Sequence, residues 1–342
     1  MFEKIERLHF ANLPTPIETA DRLAQHLGLK QILIKRDDLT GLALGGNKAR
    51  KLEFELAQVV KMGYDTIVTV GGQQSNHARM TAAAARKLGL EVVLVLGGKD
   101  FNEFKGNLLL DVFFGAEIHY INGSDEDEDL ETLQFAVCEE LKKEGKNPYA
   151  LPLGGSTPHG TLGYVKAMEE LAGQLHDDKV HIFTPVGSCG TLAGCVLGAS
   201  LFLPNAEVTG ISVSRTVADI TRRTKVLAAQ TAALLGLEPA FADVKFTVYD
   251  CYHEEYAKHI KIAMDAAETC ARLEGMILDQ VYTGKAMAGL FDLAKREVLR
   301  KDSTVLFIHT GGMPEIFADT INIPDYPKCT KYTPDAVRKM KR

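Results

Sequence analysis

Apolar residues along this chain switch between two spacings, and the switching predicts alternating strands and helices. Short apolar runs at Gln31–Lys35, Thr66–Val70, Glu91–Leu96 and Glu117–Ile121 read as buried strands. Between and after them, helical spacing appears over Lys48–Val60, Ser75–Leu88, near 103–114 and near 129–144. The first of these places Leu52, Leu56, Val59 and Val60 on one face, and Gly89 and Gly145 close the second and fourth. A turn-rich stretch, Leu153-Gly154-Gly155-Ser156-Thr157-Pro158, separates this run from a second one. That second run predicts helix 160–172, strand Lys179–Thr184, helix Thr191–Leu203, strand Glu207–Val213 and a helix near 217–235. Strand Lys245–Tyr249, helices near 256–273 and 285–299, and strand Thr304–His309 follow. Such alternation requires right-handed crossovers and mostly parallel, twisted sheets flanked by helices. The predicted class is α/β in two halves, and ligands of such sheets sit beyond the carboxyl ends of the strands.

Composition narrows the setting. The 342 residues, 46% hydrophobic and 25% charged, suit a soluble protein of two domains or one large domain. No basic stripe is interleaved with aromatics, so nucleic acid is not an expected partner. No run of about 18 apolar residues and no secretory pattern at Met1–Arg7 appears, so no membrane partner and a cytoplasmic location are expected. The six cysteines are scattered and read as reduced thiols, and the ten histidines show no metal-ligand spacing, so no metal is expected. The acidic block Ser124–Asp129 reads as a solvated loop and helix start whose carboxylates complement the dipole.

Candidate chemistry lies in polar, glycine-containing loops. In Gly45-Gly46-Asn47-Lys48-Ala49-Arg50-Lys51 two glycines permit a tight turn, Asn47 reads as a helix cap and Lys48 stands at the helix mouth. There the dipole disfavours the ammonium, and desolvation would free the amine as a Schiff-base nucleophile. Taken alone, the stretch reads more readily as a solvated basic loop, and Asp37 and Asp38 before it as a charge network tying loop to strand. Ser75, Asn76 and His77 open a helix whose amides suit a carboxylate; Ser75 and Asn76 also suit plain capping. Gly187-Ser188-Cys189-Gly190-Thr191 is a phosphate cradle that matches neither a dinucleotide fingerprint nor a Walker loop. Cys189 has no identified base and reads as incidental. Thr310, after the last strand, offers a hydroxyl to a heteroaromatic nitrogen, and Tyr282 and Tyr256 are candidates for stacking or proton transfer. A nucleophilic lysine, a phosphate cradle and a neutral ring-nitrogen partner together describe a pyridoxal 5'-phosphate site.

These motifs resemble those of the group containing D-cysteine desulfhydrase, L-cysteate sulfo-lyase and 1-aminocyclopropane-1-carboxylate deaminase. The resemblance runs from Leu13 to Phe317 through Ile34–Asp38, Gly45–Glu53, Gln74–His77, Val281–Lys285 and His309–Gly312. It implies a two-domain, tryptophan-synthase-β-like fold (fold type II), with residues 1–50 and 159–342 in the larger domain and 51–158 in the smaller. It also implies a homodimer acting on a small amino acid. Lys48 would carry the cofactor, Asn76 contact its 3-hydroxyl, Ser188 to Thr191 hold its phosphate and Thr310 meet its ring nitrogen. Ser75, Tyr256 and Tyr282 would be catalytic, and Ser75, Asn76, His77 and both tyrosines would contact the substrate. Tyr256 is placed by its spacing from Tyr282. One departure bears on the reaction: the cyclopropane deaminases carry glutamate directly after the second tyrosine, where this chain has Thr283. The expected reaction is therefore α,β-elimination to pyruvate and ammonium, with D-cysteine ahead of L-cysteate as substrate. His77, Arg79 and Arg215, conceivable sulfonate partners, read as structural or surface residues, and Arg50 and Lys51 as structural.

Overall fold

A computed structural model describes residue 2 and residues 5–177, 179–237, 244–250 and 260–318. In chain order, β1 (Ile17–Thr19), α1 (Asp21–Leu27) and β2 (Gln31–Lys35) lead into α2 (Lys48–Lys61). Then come β3 (Thr66–Gly72), α3 (Asn76–Lys87), β4 (Glu91–Gly98), α4 (Gly106–Phe113), β5 (Glu117–Asn122), α5 (Asp127–Lys143) and β6 (Pro148–Leu151). The chain continues through α6 (Pro158–Gln174), β7 (Val180–Val186), α7 (Gly190–Phe202), β8 (Glu207–Ser212), α8 (Val217–Leu234) and β9 (Thr247–Tyr249). It closes with α9 (Lys261–Glu274), α10 (Thr283–Lys295) and β10 (Thr304–Ile308).

The strands form two sheets, a six-stranded one ordered β1-β2-β10-β7-β8-β9 and a four-stranded one ordered β5-β4-β3-β6. Every pairing is parallel except β1 with β2. Strand alternation sends successive side chains to opposite layers. On β10, Leu306 and Ile308 join the layer made with α6, α7 and α8, while Val305 and Phe307 face the layer made with α1, α9 and α10. The small sheet is divided likewise: Ile67, Leu94 and Leu96 pack toward α2 and α3, and Val68, Val70, Val93 and Val95 toward α5.

The fold is the expected α/β arrangement with parallel sheets, and three details differ from the pattern reading. β1 and β6, of three and four residues, carry too short an apolar signal to read, and β6 begins at a proline. Val60 is exposed; Ala49, Leu52, Leu56 and Val59 form the buried face of α2. Arg50 and Lys51 are not solvated: they are 2% and 1% exposed.

Partners explain the burial of Arg50. Its guanidinium donates to Asp37 Oδ1 at 2.8 Å, to both oxygens of Glu170 at 2.9 Å and to Thr15 Oγ1 at 3.0 Å. Lys35 Nζ adds bonds to Glu170 at 2.5 Å and Gln174 at 2.6 Å, and the Tyr164 hydroxyl donates to Asp37 at 2.5 Å. Burial alone would raise the Asp37 carboxyl; the Arg50 charge overrides it and holds the group below its ordinary range. This network fastens α2 to β2 and α6. Gly163 allows the close approach, since a Cβ there would lie 2.3 Å from the Arg50 carbonyl oxygen.

Candidate active site

The loop before α2 is fixed at both ends before it delivers Lys48. Gly45 has φ +76°, and a Cβ on it would meet the Asp38 carbonyl oxygen at 1.9 Å, so only glycine fits. Thr40 Oγ1 brackets Gly46, accepting from its N–H and donating to its carbonyl, each at 2.8 Å. Asn47 N then donates to the Thr310 carbonyl at 2.9 Å, which joins this loop to the end of β10. The expected Asn47 cap is absent: the residue is helical (φ −57°, ψ −24°), and its Nδ2 donates instead to Thr191 Oγ1 at 2.9 Å.

Lys48 and Lys51, one helical turn apart, point to the same place. Lys51 Nζ donates to the Gly154 carbonyl at 2.6 Å and to Ser156 Oγ at 3.0 Å; Lys48 Nζ lies 3.4 Å from the same carbonyl. Burial brings the Lys48 amine down to about 8. Burial, and then the charge of Lys48, hold Lys51 well below the usual lysine range. Among the described residues no carboxylate forms an ion pair with either. Ser156 Oγ also accepts from Gly190 N at 3.2 Å and donates to Ser188 Oγ at 2.9 Å, and a Cβ on Gly190 would lie 2.5 Å from Lys51 Nζ. Two amines, two serine hydroxyls and the amino end of α7 thus converge on one small space. Lys51, which sequence reasoning assigned to structure alone, brings its amine to the same space as Lys48. Cys189 is buried in a left-handed conformation (φ +71°), and desolvation raises its thiol, so it shapes the loop without being a nucleophile.

Beside this space opens a cleft of about 1410 Å³ between the carboxyl ends of the two sheets; Lys51 and Ser156 are not part of its lining. Lys48, Ser188, Cys189 and Thr191 line it from one side; Ser75, Asn76 and His77 line it from the small sheet; Tyr282 and Thr310 complete it. Gly190 stands directly behind the loop, and Tyr256 lies outside the described residues. Ser75 caps α3, its Oγ accepting from Ala78 N at 3.1 Å, which leaves its own proton to donate. His77 is buried. Thr69 Oγ1 donates to the Leu151 carbonyl at 2.9 Å, so it accepts from His77 Nε2 at 2.9 Å; Thr81 Oγ1 lies 3.5 Å from Nδ1. Burial followed by the two lysine charges keeps this imidazole neutral, and both nitrogens are engaged away from the cleft.

Tyr282 is aimed by a residue that the sequence reading passed over. Asp279 is buried and accepts from the backbone N–H groups of Val281 at 3.0 Å, Tyr282 at 2.7 Å and Thr283 at 2.9 Å. Thr283 Oγ1 donates to it at 2.5 Å, so position 283 faces the cap of α10 and presents no carboxylate to the cleft. An aspartate four residues before a threonine at a helix start is the signal that was available. Arg215 also differs in detail from a plain surface residue. It pairs with Asp127 at the start of α5 and with Asp219 at 3.4 Å, linking the two sides of the cleft mouth.

Residues 8–311 match the family model described as "Pyridoxal-phosphate dependent enzyme". The chain belongs to that family. It is 42% identical over 320 residues to a protein of Pyrococcus abyssi named putative 1-aminocyclopropane-1-carboxylate deaminase, covering 93% of this chain and 94% of the relative. It is 40% identical over 324 residues to the D-cysteine desulfhydrase of Salmonella typhimurium, covering 92% and 96%. A solved structure titled as that of an ACC deaminase homologue superposes with a TM-score of 0.86 at 41% identity, covering 92% of this chain and 94% of the other. The fold is the type II fold of pyridoxal phosphate enzymes, and the cofactor is pyridoxal 5'-phosphate.

The residues present fit that group. Two buried amines that pair with no carboxylate among the described residues, together with the start of the thirteen-residue α7, suit a phosphate dianion, whose charge would favour the ammonium form of Lys51. The lowered Lys48 amine, adjoining that charge, suits carbonyl capture. Thr310 lines the cleft, and its neutral hydroxyl would fit a ring nitrogen without requiring it to be protonated.

Proposed function

We propose that the chain is a carbon–sulfur lyase that eliminates the β-substituent of a small amino acid, D-cysteine in the first place. D-cysteine and water would yield sulfide, pyruvate and ammonium. When bound, the cofactor supplies the electron sink for charge left at Cα. Lys48 and Lys51 with the loop Ser188–Thr191 would hold the cofactor, and Asn76 and Thr310 would orient its ring. Ser75 Oγ and the first amides of α3 would bind the substrate carboxylate, since Ser75 keeps a proton to donate and a helix start favours an anion. Lys48 Nζ would take the Cα proton, and the hydroxyl of Tyr282 would protonate the departing sulfur. Such acid–base help is worth about 10²–10⁴-fold in rate.

The observation carrying the choice of substrate is that the three side chains the sequence offers a sulfonate are already engaged. Arg79 is wholly buried, Arg215 is paired with Asp127, and His77 is neutral with both nitrogens bonded. Thiol and thiolate leaving groups need none of them. Thr283, turned into the Asp279 cap, offers no acid at the position where the cyclopropane deaminases carry glutamate. We further take residues 51–158 as the smaller domain, and the enzyme as a cytoplasmic homodimer; sedimentation of the holoenzyme tests the latter. Sulfide from D-cysteine, sulfite from L-cysteate and ammonium from the cyclopropane amino acid are to be measured side by side. D-cysteine is expected to give a kcat/KM at least about tenfold above the others, the scale of one lost polar contact. A higher value for L-cysteate would replace the substrate. A spectral change with neither a keto acid nor ammonium released from any of them would make the protein a binder and not an enzyme.

A further inference from the structure

One buried charge beside the cleft has no part in the steps above. Arg79 on α3 is fully buried, as are Asn107 and Asp111 on α4. Arg79 Nη1 donates to Asn76 Oδ1 at 3.2 Å and to Asn107 Oδ1 at 2.8 Å, while Nη2 donates to the Gly45 carbonyl at 2.9 Å. Asn107 Nδ2 gives a second bond to Asn76 Oδ1, at 3.0 Å, and another to the Gln74 carbonyl at 2.8 Å. Asn76 Oδ1 therefore accepts twice on its inner side, which leaves its amide N–H₂ as the end available to the cleft. A reversed amide would set donors against donors, so its orientation is determined by the neighbours. The same guanidinium holds Gly45, three residues before Lys48, at a point where the backbone already has no room to move.

The nearby carboxylate does not consume this charge. Burial pushes Asp111 up to about 8, with Arg79 acting against the rise, and neither of its oxygens accepts a hydrogen bond among the described residues. Near neutral pH Asp111 is thus mostly protonated, and the guanidinium's bonds go to neutral acceptors on two cofactor-bearing loops.

We propose that Arg79 is a positioning residue: it fixes the Asn76 amide with its nitrogen toward the cofactor's 3-oxygen and, through Gly45, sets how far Lys48 stands from the ring. This rests on the reading of Asn76 as the ring contact. A guanidinium can hold acceptors on both loops at once, which an ammonium cannot match in geometry.

The test compares holoenzymes of wild type, Asn76→Ala, Arg79→Met, Arg79→Lys and the Asn76→Ala/Arg79→Met double variant. Each is read by the position of the visible band of bound cofactor and by cofactor Kd. Arg79→Met is expected to move the band as Asn76→Ala does and to weaken cofactor binding about tenfold, as for one charge-assisted hydrogen bond. The double variant is expected to displace the band by less than the sum of the two single variants, because both remove the Arg79–Asn76 contact, and Arg79→Lys is expected to restore it in part. If Arg79→Met does not fold, Arg79→Lys carries the test, with a displaced band expected. An Arg79 variant whose band matches wild type while Asn76→Ala moves it overturns the proposal and leaves the cofactor site intact. An unmoved band in Asn76→Ala overturns the placement of Asn76, and the proposal with it.

Discussion

Lys48 and Lys51 show how far one residue's chemistry can be read from its neighbours in sequence. Two glycines, an asparagine and a helical pattern mark Lys48, because the loop and helix mouth are local features. Nothing local separates Lys51 from Arg50, since burial is decided by what α6 and the loop at Gly154 bring up from about a hundred residues away. The two amines make different contributions, and both are measurable. Burial lowers Lys48 to about 8, so its neutral, nucleophilic form accumulates as pH rises through that value. Capture of pyridoxal phosphate by the apoprotein, followed at its visible band, should therefore quicken from pH 7 to 9 and then level; a rate flat over that range would contradict the assignment. Lys51→Met should leave the lysine at 48 reactive but weaken cofactor binding roughly 10–100-fold, the scale of a lost charge-assisted hydrogen bond. An unchanged Kd would place the phosphate elsewhere. His77 shows another limit of local reading: it stands beside Ser75 and Asn76 in sequence, but the threonines that engage its ring nitrogens come from β3 and α3.

At the scale of elements, strands and helices were legible because their periods are long enough to count. The alternation from β2 to β5 and from β7 to β10 follows the apolar runs closely. β1 and β6 were hidden by their length, and the caps by their chemistry: Asp279, not Tyr282, organises the start of α10. The position of α2 depends on a contact between elements far apart in the chain, Arg50 with Asp37 and Glu170. Arg50→Met should destabilise the protein by about 3–5 kcal/mol, because it leaves Asp37 buried without its ion-pair partner and Glu170 with Lys35 alone; urea unfolding that shows less than about 1 kcal/mol would contradict this. Asp37 and Glu170 are both held below their ordinary carboxyl values in the folded state. Their stabilisation is therefore complete above the unfolded values, 3.8 and 4.5, and is lost as pH falls through the lower folded ones. The Arg50→Met variant should accordingly show a flatter loss of stability on acidification.

For the whole molecule, the class was legible and the sheet order was not. Periodicity says that a segment is a strand; it does not say that β10 lies between β2 and β7, pairing Thr304 with both Gln31 and Val180. The small sheet is drawn from one continuous stretch, Thr66 to Leu151, whereas the large sheet joins residues some 270 apart. Closing so long a loop precedes any gain from the contacts it allows, so the small sheet should form first. Pulse-labelled hydrogen exchange during refolding should protect amides of β3 and β4 ahead of those of β2 and β10; simultaneous protection would reject this order.

The central place of β10 has a consequence for how the protein is made. A chain emerging from the ribosome carries β2 and β7 long before the strand that must separate them. Until that strand arrives, two apolar edges stand open to pairing with other chains. The growing polypeptide also holds Lys48, Lys51 and the phosphate loop without Thr310, whose carbonyl anchors Asn47 beside them. Productive uptake of the vitamin-derived cofactor should therefore wait for β10, and yellow colour would then mark chains into which that strand has been inserted.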